Sequence, residues 1–259
     1  PSLPAWHAPL ANALANGEAW SPDAGRGLWR PLLTTGVEGI RGVPLEIASE
    51  RGCMAQVEAL LSQPDYPADE RRSHVALALA RAAAEGQAEV VARLLEVEHV
   101  RENRALCSAT TVEVVRLLLD AGYNPKAKFP SRLRIGPKMT PPFAEALARC
   151  HRTEKRHRYG GPGIEHFATA IAIANACGGK PLKSAKTFRE LCAMGWTPLV
   201  RAALDAGASP NPRPSKIPPP LMWALTRGRG EVAHLLVERG ASIGEEERLE
   251  AAKHGITLD

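Results

Sequence analysis

The sequence predicts an all-α solenoid of stacked helical hairpins, about seven degenerate repeats closed by a C-terminal half-repeat cap. Three observations carry this. Aromatic residues make up 5% of the 259 residues while Ala and Leu dominate, so the core is built from small and medium side chains, which favours helix packed on helix. Short apolar stripes of helical period recur along the chain with a step of about 34 residues. Glycines stand where those short helices have to stop, notably Gly195, Gly207, Gly228 and Gly240.

Composition supports a folded chain. Hydrophobic residues are 44% and charged residues 24%, and 22 Gly with 22 Pro are spread thinly. No window approaches the roughly 18 apolar residues of a membrane span. The five cysteines, Cys53, Cys107, Cys150, Cys177 and Cys192, have no paired spacing. They suit a reducing compartment, not a disulfide framework or a zinc site. The cytoplasm is the expected location, with a secreted effector or a trimmed signal left open.

The clearest hairpin is residues 219–241, PPLMWALTRGRGEVAHLLVERGA. Pro219 and Pro220 start a helix where a missing N–H costs least, and Leu221, Ala224 and Leu225 form its apolar stripe. Gly228 ends it, and Gly230 is expected to lengthen the loop. Val232, Leu235, Leu236 and Val237 give a second helix its apolar face, and Gly240 closes it. This unit closely resembles an ankyrin repeat, whose period is about 33 residues and whose opening is Thr-Pro-Leu-His-x-Ala, with Pro here in place of Thr and Met222 in place of His.

In the same frame, residues 8–17 pair with 28–36, residues 43–61 and 77–95 each form a hairpin, and 111–123 follows a shortened first helix near Leu106. Residues 141–150 supply the next first helix, with its partner delayed to 167–176. Residues 186–208 complete the series, with Phe188 in the Leu position; this puts Trp196-Thr197-Pro198-Leu199 between two helices instead of at the start of a repeat. The repeats are set at 5–40, 41–72, 73–103, 104–139, 140–182, 183–213 and 214–241, with the cap at 242–259, all in one domain. The cap helix is placed at 245–254, with Ser242 and Glu245 as a capping box.

Residues 121–160 break the pattern and hold ten Lys and Arg against two Glu, a local balance of +8 within a chain of +5. Two loops carry it: an enlarged inter-repeat finger, 123–140, and an insertion inside the fifth hairpin, 150–163. The partner-binding candidates are Lys126, Lys128, Arg132, Arg134, Lys138, Arg149, Arg152, Lys155, Arg156, Arg158 and Tyr159. Arg51 and Arg227 join them because they share with Arg149 the slot just before the inter-helix Gly position, which faces the concave surface in ankyrin-like stacks. Such a regional patch steers toward an acidic protein surface, nucleic acid or a phosphate-bearing ligand; solvated loop charges are the bland alternative.

Of the five tryptophans, Trp29, Trp196 and Trp223 fall at packing positions, and Trp6 and Trp20 suit a cover for the first hairpin. The histidines His151, His157 and His166 match no zinc spacing and sit among cations, so no metal is expected. Gly178-Gly179-Lys180 fails as a phosphate loop, because Ala174 replaces its first Gly and Pro181 its Ser or Thr. The glycines at 160, 161 and 163 before a helix read as a turn. No nucleophile elbow or paired-histidine metal motif is present, and an open stack offers few walls for shifting a pKa.

The resemblance therefore implies a non-catalytic protein–protein interaction module, without cofactor, that binds through its first-helix faces and fingers. Adaptor, effector and immunity or inhibitor roles stay open, and the partner is expected to present an acidic surface. The alternative is nucleic-acid or phosphate-ligand binding through residues 121–160. Phe129, Phe143 and Tyr159 would be available there for base stacking.

Overall fold

The computed structural model describes residues 44–62, 68–97, 103–130, 139–156, 164–212 and 217–258. The first expected hairpin, with Trp6, Trp20 and Trp29, lies outside them. The regular structure among the described residues is helical apart from one two-residue ladder. The contacts divide the chain into two compact units, residues Pro1–Thr169 and Ala170–Asp259.

In the first unit the helices are α1 (Pro44–Glu50), α2 (Met54–Leu61), α3 (Ala68–Glu85), α4 (Ala88–Val97), α5 (Arg104–Ser108), α6 (Val112–Asp120) and α7 (Pro142–Arg156). First helices pack on first helices, α1 on α3, α3 on α5 and α5 on α7, while α2 packs on α4 and α4 on α6. Leu45, Ala48, Val57, Leu79, Ala83, Val91, Leu94, Leu106, Val115 and Leu118 are buried between them. These are the residues of the helical stripes, so the hydrophobic period and the packing agree.

The fourth hairpin shows what such packing needs. Helix α5 has five residues and buries Ala105, Leu106 and Cys107. Burying one leucine stabilises by about 1.5–3 kcal/mol, against about 1–2 kcal/mol for each ordered residue. Helix α5 must lean on its neighbours, and Asn103 supplies one tie. Its buried side chain donates from Nδ2 to the carbonyls of Asn124 (2.6 Å) and Ala127 (2.9 Å), holding the start of the finger. Helix α6 is better founded, since Thr111 Oγ1 accepts the Val114 N–H at 3.3 Å.

The division between units falls within α8 (Ile164–Ala176). The second unit continues with α9 (Lys180–Lys183), α10 (Ala185–Met194), α11 (Thr197–Asp205), α12 (Pro220–Leu225), α13 (Gly230–Glu238) and α14 (Glu245–Lys253). Here α10 packs on α12 and α12 on α14, and α11 packs on α13. Leu191, Leu199, Leu221, Leu225 and Leu236 are fully buried, and Trp196, 3% exposed, packs between α10 and α11 as its position suggested.

A single device recurs at the turns between paired helices. Gly86 has φ +73°, a conformation that β-carbon sterics disfavour, and a Cβ there would stand 2.7 Å from Thr111 Cγ2. Gly195 has φ +77°, and its Cβ would stand 2.7 Å from Arg229 Cδ. Each turn is thus covered by a side chain from the following turn. Side chains from these following turns also close the ends of the first helices. Gln87 Nε2 donates to Glu50 O (3.5 Å), Thr110 Oγ1 to Ala83 O (3.4 Å) and Arg229 Nε to Ala193 O (3.4 Å). Glu50 O and Ala193 O stand at helix ends where the next hairpin supplies a partner, and Ala83 O, which accepts the Gly86 N–H at 3.4 Å, also accepts the Thr110 N–H at 3.2 Å. Ion pairs on the second helices keep the same step, Arg93 with Glu58 across 35 residues and Arg239 with Asp205 across 34.

Several expectations need correcting. The boundary set at 72/73 cuts through α3, which begins at Ala68. Residues 150–156, expected within a loop, continue α7 to Arg156, because Arg, Glu and Lys are good helix formers. Gly230 opens α13 instead of lengthening the loop, and Ile256 Cγ1 stands 3.5 Å from where its Cβ would be. The cap helix begins after Gly244, not Ser242: Glu247 Oε2 accepts the Gly244 N–H at 2.9 Å, and glycine has no side chain for the other half of a box. The Ser242 N–H goes instead to Asn211 Oδ1 at 2.8 Å.

Candidate interaction surface

The basic segment starts from a fixed base. Tyr123 is buried at the end of the second helix, and Asn124 Oδ1 accepts the Lys126 N–H at 2.9 Å, folding the chain back under the Asn103 side chain. Lys126 and Lys128 follow, both exposed. The chain then pairs with itself in an antiparallel ladder of β1 (Phe129–Pro130) and β2 (Met139–Thr140), with Phe129 opposite Thr140. The finger is therefore closed at its base by backbone hydrogen bonds, which a helical reading of the sequence did not show. Arg132, Arg134 and Lys138 lie outside the described residues, as do Arg158, Tyr159 and His157. Lys155 and Arg156 are placed on the last turn of α7.

Arg149 is where the expected surface line fails. Its guanidinium is turned into the protein and donates to two carbonyls at the end of α5, from Nη1 to Cys107 O and from Nη2 to Ala109 O at 2.7 Å. The reason is the turn device already described: Arg149 does for α5 what Gln87, Thr110 and Arg229 do for their neighbours. A cation at a helix C-terminus also meets the negative end of the helix dipole. Burial lowers its pKa, with Glu145 opposing that effect, but a guanidinium remains charged at neutral pH. Arg51 and Arg227 in the equivalent slots are exposed, in the turns after α1 and α12.

Around Arg149 the groups are coupled. Arg152 pairs with Glu145 at 3.7 Å, two turns apart on α7. The Cys107 thiol is pushed up to about 12, first by burial and then by the Glu145 charge. His166, on α8, is held below its ordinary 6.5 by burial and by Arg149, so its imidazole is neutral at pH 7. Thr169, 1% exposed, completes the neighbourhood, its hydroxyl 2.8 Å from the carbonyls of both Thr110 and Glu165. Asn103 and Thr169 were not singled out from the sequence. An Asn ahead of a short helix was the only signal, and it reads as an ordinary cap.

Of the thirteen candidates, the described residues thus show Lys126, Lys128, Arg51 and Arg227 exposed, Arg152 in an ion pair and Arg149 committed to the backbone. Gly179, from the failed phosphate-loop match, has a packing role: a Cβ there would stand 2.8 Å from Ala206 Cβ. Among the described residues no three His, Cys, Asp or Glu side chains converge to hold a metal ion, and no helix is long and apolar enough to cross a membrane. No family model matches the chain, and no curated protein matches it.

Proposed function

We propose that the chain is a non-catalytic interaction module of ankyrin-like build that captures an acidic partner protein through its basic segment, residues 121–160, and its first-helix faces. The observation that carries this reading is the base of the finger: it is closed by a ladder, shows Lys126 and Lys128 exposed, is anchored at Asn103 and is followed directly by a helix that ends in Lys155 and Arg156. The repeating turn device and the 34- and 35-residue ion pairs support the ankyrin-like build. A scaffold whose turns are covered from hairpin to hairpin loses little ordering entropy on binding.

Affinity purification with mass spectrometry tests it, run beside a chain in which Lys155, Arg156 and Arg158 are reversed to Glu. A partner retained by the parent and lost by the variant, at equal helix content, supports the reading. Tight binding of mixed-sequence DNA or RNA with a steep salt dependence would replace it with a nucleic-acid function.

A further inference from the structure

We propose that two copies of the chain associate through the cap helix α14, paired antiparallel about a twofold axis at Leu249. Glu245, Leu249, Ala252 and Lys253 recur on α14 at i, i+4, i+7 and i+8, which places them on one face, and all four are exposed. The opposite face is the one laid on the stack: Glu250 is half-buried, Ala251 is buried, and Nδ1 of His254 stands 3.4 Å from where a Cβ on Gly228 would be. Leu249, 60% exposed, is the more open of the two large apolar side chains left uncovered among the described residues. It lies six residues ahead of the turn glycine Gly255; its equivalents ahead of Gly195 and Gly228 are Arg189 and Met222, and both are half-buried. The row is thus partly covered on α10 and α12 and open on α14.

Charge selects the occupant. The first turn of α14 holds Glu245, Glu246 and Glu247 and its last turn Lys253, so the helix is acidic at one end and basic at the other. Glu245 and Lys253 each lie four residues from Leu249, about 6 Å along the axis. When a second α14 is laid antiparallel with Leu249 on Leu249, each Glu245 meets Lys253 of the other copy, twice by symmetry. A parallel copy would set like charges side by side. Ala252 falls opposite Glu246 of the other copy, and its small side chain lets the helices approach. Glu245 and Glu246 make no ion pair among the described residues. Lys253 bonds Glu250 at 2.7 Å, but its side chain is 68% exposed and an ammonium has three donors. A nine-residue helix offers much less than the roughly 800 Å² per partner of a stable interface, so the pairing is weak and concentration-dependent. It uses neither the basic segment nor the acidic partner proposed above.

Sedimentation equilibrium of the full chain, taken up to about 1 mM, reads the pairing. The parent should pass from monomer to dimer. Leu249→Glu should weaken the dimer on the order of tenfold or more at an unchanged melting temperature, because it sets two carboxylates on the axis. Glu245→Lys and Lys253→Glu should each weaken it on the order of tenfold, since each puts like charges opposite one another. An equimolar mixture of those two variants restores both ion pairs, one copy supplying the lysines and the other the glutamates, and should associate as tightly as the parent. A parent that stays monomeric, a dimer indifferent to Leu249→Glu, or a mixture no tighter than its components overturns the proposal. So does growth beyond a dimer, which head-to-tail docking of α14 on another surface of a second copy would give.

Discussion

Replacing Gly86 with Ala tests the turn device directly. Two costs are superposed. The φ of +73° is disfavoured for any residue with a β-carbon, by about 1–2 kcal/mol. The new methyl would also stand 2.7 Å from Thr111 Cγ2, far inside the ordinary contact distance. Thr111 cannot retreat cheaply, because its Oγ1 accepts the Val114 N–H at the start of α6. Overpacking of this kind adds about 1–3 kcal/mol. Gly207 provides the control: its φ is +94° but nothing lies within 4 Å of its added Cβ, so Gly207→Ala has only the backbone cost. Urea unfolding followed by far-ultraviolet circular dichroism should therefore show Gly86→Ala losing about 2–5 kcal/mol and Gly207→Ala about 1–2 kcal/mol. Thr111→Ser removes the obstructing methyl and keeps the capping oxygen. Combined with Gly86→Ala it should return about 1 kcal/mol or more as a coupling energy. Equal costs at the two glycines, or a coupling of zero, would refute the claim that each turn is sealed by the next hairpin.

Other consequences follow from the same geometry. Arg149→Met leaves two carbonyls at the end of α5 without their charged donor and should cost about 2 kcal/mol in unfolding free energy, with Arg149→Lys recovering part of it. His166 has a folded pKa below 6.5, so under acidification the unfolded chain takes up its proton first; stability should fall as pH drops from about 6.5 toward the folded value, and His166→Asn should flatten that part of the pH–stability curve. Cys53 is half-buried while Cys107, Cys150, Cys177 and Cys192 are buried, and burial pushes the Cys192 thiol up to about 12. A thiol reagent should label Cys53 well before the other four in the native protein and all five after denaturation, as read by mass spectrometry.

What was legible in the sequence was whatever depends on spacing. The glycines at 195, 207, 228 and 240 all have positive φ, and the helices between them bury the apolar stripes that defined the frame. Trp196-Thr197-Pro198 falls mid-hairpin, with Trp196 just before α11 and Thr197-Pro198 opening it, because the frame, not the local match, decided its place. Boundaries set by competing polar residues were less legible. Residues 150–156 carry a run of charges that suits a loop by hydropathy and a helix by propensity, and propensity prevailed. The candidate surface was half legible. Charge identifies an arginine, but not whether its guanidinium is turned into a neighbour's carbonyls, and Arg149 and Arg227 share one slot with one buried against carbonyls and the other exposed.

The covering of one hairpin's bend by a side chain of the next also bears on how such a chain can be cut and rejoined. Splicing out a module would bring a new roof residue over an old glycine, and only some pairs are compatible: Thr111 fits over Gly86, whereas Arg229 fits over Gly195. Modules of this protein are accordingly not interchangeable bricks but ordered ones, each carrying the lid cut for its predecessor.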